Sequence, residues 1–129
     1  PINLFEPVLK TKNIDFLNLQ YGNSDVERAG VMRNFNIEIF HIESLDYKND
    51  IEGLASLVAT CDLVITIPNF TTSLAASLGI PVFVLLPFSS DWRWFLNSQT
   101  SPWYPTVKIF RQKKLGEWQD VINEVRDSL

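Results

Sequence analysis

The chain has 129 residues, of which 46% are hydrophobic and 20% charged. That is the length of one ordinary domain, with enough apolar content for a real core and none of the character of a disordered segment. The net charge of −4 argues against nucleic acid or an anionic membrane surface as the main partner, because neither is attracted without a basic stripe.

In chain order, Leu4, Phe5, Val8 and Leu9 predict one short opening helix. A first β-rich run covers residues 15–19. Ser24-Asp25-Val26-Glu27 reads as a capping box that opens a helix running to about Asn34. A second strand is expected over 37–42. Asn49-Asp50-Ile51-Glu52 repeats the capping logic, with Ile51, Leu54, Ala55 and Val58 on one helical face. Residues 63–67 and 82–86 are apolar on both faces, as in central strands covered by helices on two sides. Between them a helix is expected from about Thr71 to Leu78, stopped by Gly79 at the C′ position and by Pro81 beyond it.

Residues 88–105 interrupt the regularity with Trp92, Trp94, Phe95, Trp103 and Tyr104 among polar residues and prolines. A last strand is expected at 107–110. A last helix carries Leu115, Trp118, Val121, Ile122, Val125 and Leu129 as an i, i+3, i+4, i+7 stripe. Strand–helix alternation of this kind predicts a single α/β domain over residues 1–129, with a parallel sheet of about five strands and right-handed crossovers.

The chemistry is bounded by what is scarce. One cysteine, Cys61, forms no internal disulfide and no cysteine-based metal cluster, and the single histidine, His41, rules out a two-histidine zinc site. Cys61 and His41 both read as packed residues. No run approaches the roughly 20 apolar residues that span a bilayer. No signal peptide opens the chain, so a cytoplasmic location is expected, and Pro1 in place of an initiator Met suggests a piece of a longer protein. Neither G-x-G-x-x-G nor a P-loop is present.

Ligands of open α/β sheets bind at the carboxyl ends of the strands, beside helix N-termini. That rule selects Gln20-Tyr21-Gly22, Glu43-Ser44, Pro68 to Ser73, and Pro87 to Ser90. The third is the strongest candidate. Thr71, Thr72 and Ser73 are three hydroxyl residues at a helix start, where free N–H groups and the helix dipole suit a phosphate or pyrophosphate. The same residues also fit a simple cap formed by Asn69 or Thr71. Asp91-Trp92-Arg93-Trp94 fits either a ligand wall or an anchored surface loop.

The run from Cys61-Asp62-Leu63-Val64-Ile65-Thr66 through Leu78-Gly79-Ile80-Pro81 to Val84-Leu85-Leu86-Pro87 resembles heptosyltransferase-like bacterial glycosyltransferases, of the type fused behind tetratricopeptide repeats. Leu19-Gln20-Tyr21-Gly22, Asp91-Trp92-Arg93-Trp94, Ser101-Pro102-Trp103-Tyr104-Pro105 and Phe110-Arg111-Gln112 are similar to further segments of that group, in the same order.

The resemblance implies a Rossmann-like three-layer domain, the C-terminal half of a GT-B architecture. It implies a nucleoside-diphosphate sugar as donor substrate, no metal, and an active site completed by a missing N-terminal acceptor domain. Asn69, Phe70, Thr71, Thr72 and Ser73 are then expected at the diphosphate and sugar, with Gln20 and Tyr21 across the cleft. Glu43 and Ser44 are expected near the nucleoside, and Asp91 and Trp92 at the cleft wall. Three positions depart from the family pattern: Pro68 stands for an acidic residue, Phe70 for a threonine, and Ser73 for a histidine. These departures leave a second expectation open, a degenerate non-catalytic domain that serves as an interaction module.

Overall fold

The structure is a computed structural model and describes residues 1–89, 100–101 and 104–129. A 3-10 turn, Ile2–Phe5, runs into a short helix α1, Glu6–Leu9. The remaining elements are β1 (Phe16–Leu17), α2 (Asp25–Phe35), β2 (Ile39–Phe40), α3 (Ile51–Ala59), β3 (Val64–Thr66), α4 (Phe70–Ser77), β4 (Val82–Leu86), β5 (Thr100–Ser101), β6 (Tyr104–Arg111) and α5 (Gln119–Asp127).

The chain is mixed α/β with parallel strands, as expected, but the strands lie in two sheets rather than one of about five. β1 pairs with β2 in parallel, Phe16 opposite Ile39 and Leu17 opposite Phe40. The second sheet has the order β3-β4-β6-β5. β3, β4 and β6 are parallel, with Val64 opposite Val82 and Val82 opposite Val107, and β5 runs antiparallel to β6. β5 was not anticipated, because residues 88–105 carry no alternating apolar pattern.

The first pair is short for a local reason. Past Leu17 and Phe40 the ladder gains one further bond, Asn18 N–H to the Phe40 carbonyl at 2.8 Å, and then polar side chains take over. The Ile42 N–H donates to the hydroxyl of Tyr47 at 3.1 Å instead of to a neighbouring strand.

The central strands do what their two-sided apolar character implies. Val82, Val84 and Leu86 of β4 face one core cluster, with Leu54, Val58, Val64, Ala75, Val107 and Ile109. Leu85 faces the opposite cluster with Val8, Phe110, Val121, Ile122 and Val125, and Phe83 packs against it. This period-two alternation places α3 and α4 on one face of the sheet and α1 and α5 on the other. Phe16 of β1 and Ile65 of β3 both pack on the second cluster, which ties the small sheet to the large one without a ladder.

Helix boundaries differ from expectation where side chains have other uses. Ser24 is the N-cap of α2 but makes no side-chain cap bond, since its hydroxyl accepts from Asn18 Nδ2 at 2.9 Å. α2 runs one residue past Asn34 and ends on Asn36 in the left-handed region. In α3 the cap is Asp50, accepting from the Gly53 N–H at 2.8 Å; Leu54 and Val58 are buried while Ile51 is exposed. α5 begins at Gln119 rather than Leu115 because Gly116, with φ +78°, interrupts the chain there. Val121, Ile122 and Val125 are buried and Leu115 is exposed.

α4 ends as expected. Gly79 has φ +74°, its N–H reaches the Ala76 carbonyl, and the Ile80 N–H reaches the Ala75 carbonyl. That is a Schellman motif, with Ile80 packed on the core as its apolar anchor. No described helix is long and apolar enough to cross a membrane.

Candidate functional site at the carboxyl edge

The exit of β3 builds the predicted helix start one residue earlier than expected. Pro68 cannot continue a ladder and the chain turns at once, so α4 begins at Phe70 with Asn69 as its N-cap. Asn69 Oδ1 accepts from the Thr72 N–H at 3.1 Å. In return the Asn69 N–H reaches the Thr72 hydroxyl at 3.4 Å, closing a capping box. Thr72 is 1% exposed, and its hydroxyl donates to the Ile67 carbonyl at 2.8 Å.

The five residues singled out therefore divide. Asn69 and Thr72 hold the helix start together. Phe70 stands exposed at the first helical position, and Thr71 and Ser73 are half-buried. The N–H groups of Phe70 and Thr71 are among those a helix start leaves without intrahelical partners.

The exits of β1 and β2 hold a network in which sequence reasoning missed two members, Asn18 and His41. Asn18 Nδ2 donates to Ser24 Oγ at 2.9 Å and meets His41 Nδ1 at 3.0 Å, while Asn18 Oδ1 accepts from the Gln20 N–H at 3.1 Å. Because the amide nitrogen can only donate, His41 Nδ1 accepts, and the neutral ring carries its proton on Nε2. The His41 ring stacks on Tyr47 with centroids 4.9 Å apart and planes 9° from parallel. His41 follows β2 rather than lying inside a strand, which is where the sequence placed it. The only signal available was the polar triplet Asn18, His41, Tyr47 next to strand ends.

Gln20 and Tyr21 are both exposed beyond this network. Glu43 accepts from Arg28 Nη2 at 3.3 Å, and Asp25 accepts from the same nitrogen at 2.6 Å. Glu43 lines a shallow concavity beside α2 with Arg28, Met32, Glu38 and Ile39. Ser44 is exposed next to it. Among the described residues, no hydrogen bond joins Gln20, Tyr21, Glu43 or Ser44 to the first turn of α4. Asp91 and Trp92 lie outside the described residues.

The exits of β4 and β6 are tied by Gln112, which is 5% exposed. Its N–H donates to the Leu86 carbonyl and its Oε1 accepts from the Phe88 N–H, each at 3.0 Å. Arg111, the last residue of β6, is half-buried, and that burial lowers the pKa of its guanidinium.

A row of large apolar side chains also marks this edge. Tyr21, Ile42, Ile67, Phe70 and Phe88 follow β1, β2, β3 and β4, and each keeps between 41% and 66% of its surface exposed.

No family model matches the chain, and no solved structure matches it. It is 39% identical, over all 129 of its residues, to Protein FlbA of Caulobacter vibrioides. The chain spans 21% of the length of that relative.

Proposed function

We propose that the chain is the sugar-nucleotide-binding half of a glycosyltransferase, a Rossmann-like unit of a GT-B enzyme that needs a second, acceptor-binding domain to turn over. The observation that carries this reading is the start of α4. Asn69 caps it, two backbone N–H groups remain for an anion, and it opens at the carboxyl edge of a parallel sheet. A nucleoside diphosphate is the ligand this geometry favours, with Thr71 and Ser73 adding hydroxyl contacts and Gln20, Tyr21, Glu43 and Ser44 supplying the nucleoside side.

Departure of the diphosphate would then be helped by helix N–H donors rather than by a metal. The length of FlbA beyond the matched fifth leaves room for an acceptor domain and for helical repeats in a parent chain of similar size. The full activity belongs to that longer protein.

A second reading has its own observation. The exposed row Tyr21, Ile42, Ile67, Phe70 and Phe88 suits a protein interface, and the Thr72 hydroxyl is taken up by the cap. On that reading the domain is a non-catalytic interaction module.

Titration with UDP, GDP, ADP and CMP separates the two. Backbone shifts at Asn69, Phe70 and Thr71 with one diphosphate, and a rise in Tm, support the donor site. Ligand at a hundredfold excess over its dissociation constant adds about 2.7 kcal/mol, enough to move the melting point of such a domain by several degrees. A folded domain that binds none of them at millimolar concentration leaves the interaction module.

A further inference from the structure

The two ends of the Asn18 amide are assigned by a single bond. Oδ1 accepts from the Gln20 N–H at 3.1 Å, and a backbone N–H can only donate, so Nδ2 stands at the other end. There it donates to Ser24 Oγ at 2.9 Å and to His41 Nδ1 at 3.0 Å. This arrangement lasts only while His41 Nδ1 keeps a free lone pair.

Histidine is the side chain that ordinarily takes up a proton between pH 5 and 8, and in the imidazolium both ring nitrogens are donors. A protonated His41 therefore meets the Asn18 NH2 group donor to donor. Turning the ring over within its stack on Tyr47 brings no relief, because neither nitrogen then accepts. Turning the Asn18 amide over does. Oδ1 then accepts from His41 Nδ1, and the Ser24 hydroxyl, which can donate as well as accept, gives its proton to the same oxygen. Ser24, only 5% exposed, thus keeps a partner. The bond that breaks is the one to the Gln20 N–H, which now faces an NH2 group. Gln20 is exposed, so water can take its place. Asn18 itself stays anchored, its own N–H held by the Phe40 carbonyl at 2.8 Å.

We propose that His41 and Asn18 form a proton-operated latch: protonation of the ring turns the amide over and releases the turn that carries Gln20 and Tyr21. The latch holds under either functional reading, since Tyr21 belongs to the carboxyl edge in both. Lowering the pH loosens this side of the edge. It leaves the first turn of α4 in place, because the Asn69–Thr72 cap contains no titrating group.

The charged and titratable groups on the elements around the ring are few. Tyr47 stacks on it, flanked by Asp46 and Lys48. Beyond Ser24, α2 brings Asp25 and Arg28, and Arg28 also pairs with Glu43, two residues after the ring. Hydrogen bonds from the Asn49 side chain and from the Asn49 and Lys48 N–H groups hold the Asp46 carboxyl below its ordinary value, so it stays ionised while His41 titrates.

The test is an NMR titration of the 15N-labelled chain from pH 8 to pH 5, following the His41 ring, the Asn18 NH2 pair and the backbone amides. The Gln20 N–H and the Asn18 pair are expected to move with the midpoint of the ring, the Gln20 proton upfield as its bond is lost. Protection of the Gln20 amide, corrected for intrinsic exchange, should fall about tenfold, the factor for one hydrogen bond. The Asn69 and Thr72 amides should not follow that midpoint. In His41→Phe, which keeps a flat ring against Tyr47 and every carboxylate, the pH response of Gln20 should vanish.

A ring that titrates while Gln20 stays in place overturns the proposal, since His41 has then simply moved away from the amide. So does a ring that remains neutral until the chain unfolds in acid. A Gln20 response that survives in His41→Phe assigns it to the carboxylates and sinks the latch. Should that variant fail to fold, the wild-type midpoints decide: a shared value supports the latch and two separate values refute it.

Discussion

At the residue scale the most consequential side chain is Asn18, which no sequence motif advertises. Its amide joins three elements: Ser24 at the start of α2, His41 after β2, and the Gln20 N–H at the turn that carries Tyr21. Asn18→Leu keeps the size and removes all three bonds, leaving Ser24, itself 5% exposed, without its donor. Loss of a part-buried network of this kind costs about 2–3 kcal/mol, or several degrees of Tm, measured by thermal unfolding. If the variant melts with the wild type, the network holds nothing.

The reading of His41 has its own check, since 15N shifts of the neutral ring should report the proton on Nε2. Cys61 supplies a second prediction at this scale. Burial raises the pKa of its thiol above the ordinary value, nearby Asp62 adds to the rise, and the Thr60 hydrogen bond opposes it. A raised pKa means less thiolate at any given pH below it. Iodoacetamide at pH 8 should therefore alkylate the folded chain several-fold more slowly than the chain in denaturant, and equal rates would contradict the shift.

At the element scale two helical glycines make opposite predictions. A Cβ at Gly30 in α2 would find nothing nearer than 4.0 Å, so Gly30→Ala gains helix propensity and stabilises by about 0.5–1 kcal/mol. A Cβ at Gly53 in α3 would come within 2.5 Å of Leu45 Cδ1 and 2.8 Å of Asp50 Cγ, the side chain that caps the helix. Gly53→Ala therefore loses about 1–3 kcal/mol through overpacking and a displaced cap, despite the better propensity. Urea unfolding of both variants checks the pair, and the same sign for both would refute the argument.

The contrast explains what the sequence made legible at this scale. Periodicity finds α3, β3, α4, β4 and α5 because their burial patterns are local properties of the chain. The stop at Gly79 was legible for the same reason, whereas the capping box read at Asn49 and Glu52 does not form and the cap falls one residue later, on Asp50. What Gly53 touches is set by Leu45, in a loop, and by how that loop folds back, which no local pattern records. Ser24 shows the same limit from the other side: its residue type fits a cap, yet its hydroxyl is claimed by Asn18 from the end of β1.

At the scale of the whole molecule the question is why one expected sheet became two, and how that division distributes stability. The sequence put β1 and β2 on equal terms with β3 and β4 because each contains apolar residues in the right order. The structure gives β1 and β2 two ladder residues each, half-buried or exposed, against fully buried Val82, Val84, Leu85 and Leu86 in β4. A two-stranded pair is marginal by itself, and here the pair is held by side-chain bonds around Asn18 and by Phe16 packing on the second core cluster.

The two parts of the molecule should therefore open at different free energies. Amides of β4 and the facing part of β6 should exchange only on global unfolding. The Asn18 N–H, bonded to Phe40, and the Gln20 N–H, bonded to the Asn18 side chain, should exchange through a local opening on the order of a hundredfold faster. Native-state hydrogen exchange followed by NMR measures both sets at once. Equal protection in β1 and β4 would mean that the small sheet is cooperative with the large one. Unequal protection would place Gln20 and Tyr21 on a separately yielding unit, free to adjust to a ligand or partner while the first turn of α4 stays fixed on the rigid sheet.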